Sequence, residues 1–130
     1  MHVVFPQLLP FSDVALLCLR LIVAVVFFGS GWQHARDPIH RAESVGLTPG
    51  VTRMLGLAEI AASLGVALGV LTQVAALGLI AVSLGAIQKK VFVWHIGFWG
   101  DKTYGWHYDL VFLTANLVTL TTGGGRFVIA

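Results

Sequence analysis

Hydrophobic positions in this chain run in long blocks separated by short polar clusters. Residues 14–32, VALLCLRLIVAVVFFGSGW, carry a single charge, Arg20, set well inside the block. At ~1.5 Å per residue the block is roughly 28 Å long, enough to cross a ~30 Å hydrocarbon core. Residues 54–87 are apolar apart from Glu59, Gln73 and small hydroxyls. As one helix they would measure roughly 51 Å, too long even when tilted. The polar dipeptide Thr72-Gln73, just after Gly69, is where two antiparallel spans divide, residues 51–70 and 73–89. The last apolar block, residues 109–122, is short and contains Asn116; begun near Trp106 it makes a fourth span, 106–122. The pattern predicts an all-α integral membrane four-helix bundle in a single domain, residues 1–130.

Punctuation supports that division. Two prolines in residues 1–10 argue against a continuous helix there, and Ser12 or Asp13 can cap the first span. Residues 33–50, QHARDPIHRAESVGLTPG, read as a loop with room for a short interfacial helix, closed by Pro49-Gly50. Lys89-Lys90 ends the third span, and the triplet Gly123-Gly124-Gly125 ends the fourth. Ala61, Gly65 and Gly69, then Ala81 and Gly85, form small-residue stripes of the kind that lets membrane helices approach closely.

Composition agrees: 57% of residues are hydrophobic and 11% charged, against about 25% charged in a soluble domain. No basic run resembles a nucleic-acid face. Residues 1–10 lack the Lys or Arg of a signal peptide, and residues 29–37 offer no small-x-small cleavage site, so the first span reads as a retained helix. Arg36, Arg41, Arg53, Lys89, Lys90 and Lys102 fall in or beside the first and third loops, with Arg126 opposite. That bias predicts a multi-pass protein of a bacterial inner membrane with both termini outside. Cys18 is the lone cysteine; it excludes a thiol relay of the vitamin-K-epoxide-reductase type and reads as a small packing residue.

The chemistry-bearing candidates begin with Arg20 and Glu59. A cation inside the bilayer costs about 3 kcal/mol or more unless it finds an acceptor. The pair reads either as a structural ion pair locking two helices or as the lining of a polar cavity. Gln33, His34, His107 and Asp109 fall near the same ends of the first and fourth spans, and with Glu59 they could close one polar chamber. An imidazole beside carboxylates is a natural proton relay near neutral pH; the plain alternative is four boundary residues reaching into headgroups. Trp94, Trp99, Trp106, Tyr104 and Tyr108 form either an interfacial belt or an aromatic wall for a flat ring such as a quinone. His95 and His107 with Asp101 and Asp109 match no metal-ligand spacing, and no metal is expected. His2 and His40 read as solvent or interface residues. Hydrolase, NTPase and dinucleotide fingerprints are absent from the sequence.

The segments LRLIVAVVFFGSGWQH, LGLAEIAASLGVALGVLTQVAAL and GWHYDLVFLTANLVTLTTGGGRF, taken in order, resemble the DoxX family of small four-helix membrane proteins. Arg20, Gly31, Glu59, Gly65 and Gly69 fall on the family pattern. His107 stands where a glutamate is common, and Gly124 where a proline is usual. The resemblance implies kinship with a group that includes a quinone-linked thiosulfate oxidoreductase subunit and membrane components of oxidative-stress complexes. On that reading Arg20, Glu59, His107 and Asp109 would be catalytic, and Gln33, His34, Trp106 and Tyr108 would bind a ligand, with quinone as the candidate cofactor. Electrons would have to come from a redox partner or a prosthetic group. The alternative is a non-catalytic accessory or scaffold subunit of a larger membrane complex.

Overall fold

The computed structural model describes residues 3–100 and 103–129. His2, Asp101 and Lys102 therefore lie outside the described residues, as does the side chain of Arg41. Five α-helices account for most of the chain: α1 (Ser12–Arg36), α2 (Pro38–Val45), α3 (Pro49–Leu68), α4 (Thr72–Gln88) and α5 (Trp106–Thr122). The protein is an all-α membrane protein. Three helical segments, Pro6–Arg36, Pro49–Leu68 and Thr72–Val93, are long and apolar enough to cross a bilayer. Leu21, Ile22, Val25, Leu57, Leu64, Val74, Leu77, Leu84 and Val111 are all exposed on the outside of the bundle. Water would not tolerate that surface; lipid solvates it.

Local chemistry sets each boundary, and several differ from the sequence reading. Pro6–Phe11 forms a 3-10 turn running straight into α1. Pro6 occupies its first position, where no N–H is needed. Neither Ser12 nor Asp13 caps α1; Asp13 instead accepts a bond from the Arg126 N–H at 3.0 Å. The stretch after the first span is mostly helical. Asp37 accepts from the His40 N–H to start α2, and Gly46 ends it with a left-handed φ of 73°. Thr48 caps α3, so Pro49-Gly50 opens that helix rather than closing a loop. Beyond α4 the chain stays helical past Lys89-Lys90 as a π-turn, Lys89–Val93.

The long helices pack side by side, α1 on α3, α3 on α4 and α4 on α5. Val23, Phe27, Val66, Ala75 and Leu79 form the apolar centre, with Leu19, Ala62, Val82, Phe112 and Ala115 around it. The face that α3 turns inward is Thr52, Gly56, Glu59, Ser63 and Val66, a stripe of alternating four- and three-residue steps. Ala61, Ala81 and Gly85 face outward instead. The close approach belongs to Gly31 of α1 and Gly56 of α3. A Cβ on Gly31 would lie 2.6 Å from the Gly56 carbonyl, and one on Gly56 2.6 Å from the Gly31 carbonyl. Cys18 is exposed. In lipid an apolar thiol gains little by moving inward, so packing does not claim it.

The bundle has two unlike ends. One, the termini end, holds the start of α1, the α3–α4 turn and the C-terminal tail. The other, the loop end, holds α2, the π-turn and the segment before α5.

Candidate functional site

At the loop end, Gly31 and Gly56 bring the backbones of α1 and α3 together, and the side chains one turn away are forced into contact. Glu59 is 2% exposed and His34 5% exposed. His34 Nδ1 lies 3.6 Å from Glu59 Oε2 and 2.7 Å from the Ser30 carbonyl oxygen. A carbonyl only accepts, so Nδ1 carries the hydrogen in that bond. The Ser30 hydroxyl lies 3.4 Å from both Glu59 oxygens and donates to the carboxylate. Three groups able to hold or pass a proton thus sit together on α1 and α3.

Helix α5 brings a second polar group to the same level. Asp109, 8% exposed, forms an ion pair with Lys90, whose Nζ lies 2.8 Å from Oδ2. Lys90 belongs to the π-turn, a helical irregularity often found at functional sites. The same ammonium lies 5.5 Å over the Tyr108 ring. Tyr108 stacks on Tyr104 at 4.8 Å and tilts against Phe112 at 5.0 Å.

The remaining candidates are placed elsewhere. Arg20 does not pair with Glu59. Its Nε donates to the Val66 carbonyl at 2.8 Å, Nη2 to Ala67 at 3.1 Å, and Nη1 to Gly124 at 3.1 Å and Phe127 at 2.7 Å. The reason is axial position. Antiparallel packing on α3 sets Arg20 beside Val66 and Ala67, at the carbonyl-rich C-terminus of α3. Glu59 lies about two turns away, roughly 10 Å along the axis. Helix C-termini carry unpaired carbonyls and partial negative charge, which suit a guanidinium as well as a carboxylate would. Every carbonyl in the last turn of α3 is accounted for: Gly65 accepts from the Gly69 and Val70 N–H groups, Val66 and Ala67 from Arg20, and Leu68 from the Ile129 N–H.

Gln33 is exposed on the outer face of α1 and does not enter the cluster; it sits about a quarter-turn from His34. His107 turns to the loop before α5. Its Nδ1 lies 2.6 Å from the Phe98 carbonyl oxygen, which also accepts the His107 backbone N–H at 3.0 Å. Its ring packs on Phe98 and Trp99, and Trp106 meets Phe98 edge to face at 4.6 Å. These residues build a cap over the N-terminus of α5. Gly105 permits it, because a Cβ there would collide with the Phe98 carbonyl and the Gly100 nitrogen. His40 and His95 are exposed. Asp101, the other member of the His95–His107 set, is outside the described residues.

The sequence reading missed Ser30, Lys90 and Gly56. Ser30 had a signal, since it lies four residues before His34 on the same helix face. Lys90 had none: only the π-turn carries it round to Asp109.

The sequence profile of the DoxX family matches residues 15–96. A Mycobacterium tuberculosis protein described as an uncharacterized membrane protein is 33% identical over 128 residues, covering 87% of this chain and 77% of that protein. No solved structure matches.

Proposed function

This chain belongs to the DoxX family of membrane proteins, and we propose that it is a small subunit of a quinone-linked membrane oxidoreductase system. The observation that carries this reading is the Ser30–His34–Glu59 cluster, in which the imidazole and the carboxylate are buried. An ionisable group at membrane depth is costly, and the partners of Glu59 are side chains able to exchange hydrogen bonds and protons rather than fixed carbonyls.

The donor set fits a quinone. Such a ring presents carbonyl oxygens when oxidised and hydroxyls when reduced, so its partners must both donate and accept. Ser30, Tyr108 and the His34 imidazole can do both, and the Glu59 carboxylate accepts. Tyr108 and Phe112 supply an aromatic surface beside them. When bound, the quinone would supply the two-electron carrier that no side chain here provides. The chain's own part is to orient and to handle protons. Glu59 holds or releases one, Ser30 relays hydrogen bonding to it, and His34 stabilises the carboxylate when it is ionised. The Lys90 ion pair holds the Asp109 carboxylate in place. Arg20 and His107 have no role in the chemistry on this reading, being committed to backbone carbonyls.

Electrons would come from a redox partner protein. The excess of Arg36, Arg53, Lys89 and Lys90 at the loop end supports a cytoplasmic location for that end, with four crossings of a bacterial inner membrane and outward termini. The test is to purify the protein and extract what it carries. A stoichiometric quinone that is lost in Glu59→Gln supports the reading. An empty but stable protein that co-purifies in a larger assembly supports an accessory subunit instead, a role that the clasping use of Arg20 favours.

A further inference from the structure

The four long helices form an open arc: α1 on α3, α3 on α4, α4 on α5. The seam between α5 and α1 closes it, and its contacts lie in two places. At the termini end the tail after α5 crosses to α1. Arg20 holds the Gly124 and Phe127 carbonyls, and Asp13 holds the Arg126 N–H. Midway, Phe27 meets Phe112 edge to face at 5.8 Å. Leu19, Val23, Val26 and Ser30 share the α1 stripe that looks at α5, Val26 level with Phe27 and Ser30 one turn nearer the loop end. Val26, Ser30, Tyr108 and Phe112 are only half-buried, so this part of the seam borders the outside. It is also one side chain away from the buried carboxylate, because Ser30 reaches both Glu59 oxygens. At the loop end Phe98 packs on Trp99 and Trp106, and Lys90 pairs with Asp109.

We propose that the loop-end part of the α1–α5 seam is a lateral entrance from the bilayer for a flat ring carrying a long apolar tail. The ring's oxygen reaches Ser30 and Glu59, while the tail lies along Val26 and Phe112 and leaves into lipid. This rests on the ring-binding reading above and narrows it to tailed, membrane-dissolved molecules. A polar group bordered by half-buried apolar side chains on the lipid-facing side of the bundle suits that amphiphile. The Phe27–Phe112 contact sets the floor, beyond which the core of Val23, Val66 and Leu79 is closed.

The test uses the intact chain in detergent micelles with two probes, a benzoquinone bearing a long isoprenoid tail and the same ring without it. Binding is followed by quenching of tryptophan fluorescence and by extraction. Val26→Trp fills the seam; Val25→Trp places the same bulk on the lipid face of α1, where Val25 is exposed. The expected result is at least tenfold slower binding of the tailed probe to V26W, with V25W like wild type, and tighter binding of the tailed probe than the tailless one. Phe112→Ala widens the seam and should speed exchange several-fold, which keeps the idea testable if V26W fails to fold. Unchanged rates in both seam variants, or equal binding of the two probes, overturn the entrance. A wild-type protein that binds neither probe sinks the ring-binding reading itself, and the entrance falls with it.

Discussion

Arg20 and Glu59 are buried equally deeply, yet the protein treats them in opposite ways. Arg20, at the termini end, is held by four backbone carbonyls from two separate segments. Glu59, at the loop end, is surrounded by side chains, Ser30 and His34. Backbone acceptors cannot change protonation and move only if a helix or the tail moves. A hydroxyl and an imidazole can rotate, donate, accept or exchange a proton at little cost. The first environment therefore fixes a fold, and the second is adaptable enough to meet a ligand. Charge at membrane depth is not by itself a mark of chemistry; the nature of the partners decides.

The largest break in that comparison comes from removing the fixed charge. Arg20→Ala leaves the Val66 and Ala67 carbonyls unpaired in the bundle and detaches the tail, and should cost about 3–5 kcal/mol. It should lower the thermal unfolding midpoint in detergent sharply, with Arg20→Lys recovering only part, since an ammonium has three donors and no fork. Ending the chain after Thr122 removes two of the four acceptors and should cost about 2–3 kcal/mol. If Arg20→Ala unfolds at the wild-type temperature, the clasp contributes nothing and the contrast between the two ends collapses.

How much of this could be read from the sequence follows the same division. The helices and their lipid-facing surface were legible, because block length and composition report burial in a bilayer directly. That Arg20 needs an acceptor was legible as well. Its identity was not: carbonyls at a helix end carry no residue signature, and the carboxylate set inside the second span, Glu59, drew the assignment. The glycines illustrate the limit differently. Ala61, Ala81 and Gly85 satisfy the four-residue pattern yet face outward, whereas Gly31 and Gly56, on different helices, make the contact. Spacing within one helix cannot reveal which face its neighbour will take. The His107 position shows the role of loops: a 2.6 Å bond to the Phe98 carbonyl depends on a turn built by Gly100 and Gly105, which no periodicity predicts.

A smaller effect tests whether the loop-end cluster depends on the helix crossing. Gly56→Ala puts a methyl 2.6 Å from the Ala35 nitrogen and the Gly31 carbonyl, so α1 and α3 must separate. Strain of about 1–3 kcal/mol is offset by about 1 kcal/mol of better helix propensity. The net loss of stability should be about 1 kcal/mol, read from the unfolding midpoint. Ligand retention should fall much further, because His34 and Ser30 move away from Glu59. Equal retention in Gly56→Ala and wild type would mean that the cluster needs no such precision.

The smallest expected change in stability is also the one that separates the two ends most cleanly. Glu59→Gln keeps the shape, and the amide can still accept from Ser30 while losing the attraction of His34. Replacing a buried carboxylate by a neutral isostere also removes its desolvation cost, and for partly compensated buried ions the two changes nearly cancel. Stability should therefore stay within about 1 kcal/mol of wild type, while proton handling at the cluster is abolished. Conversely, a midpoint that falls as far in Glu59→Gln as in Arg20→Ala would show that the carboxylate is as structural as the guanidinium. The loop end would then be a second clasp, and the chain an anchor held at both ends.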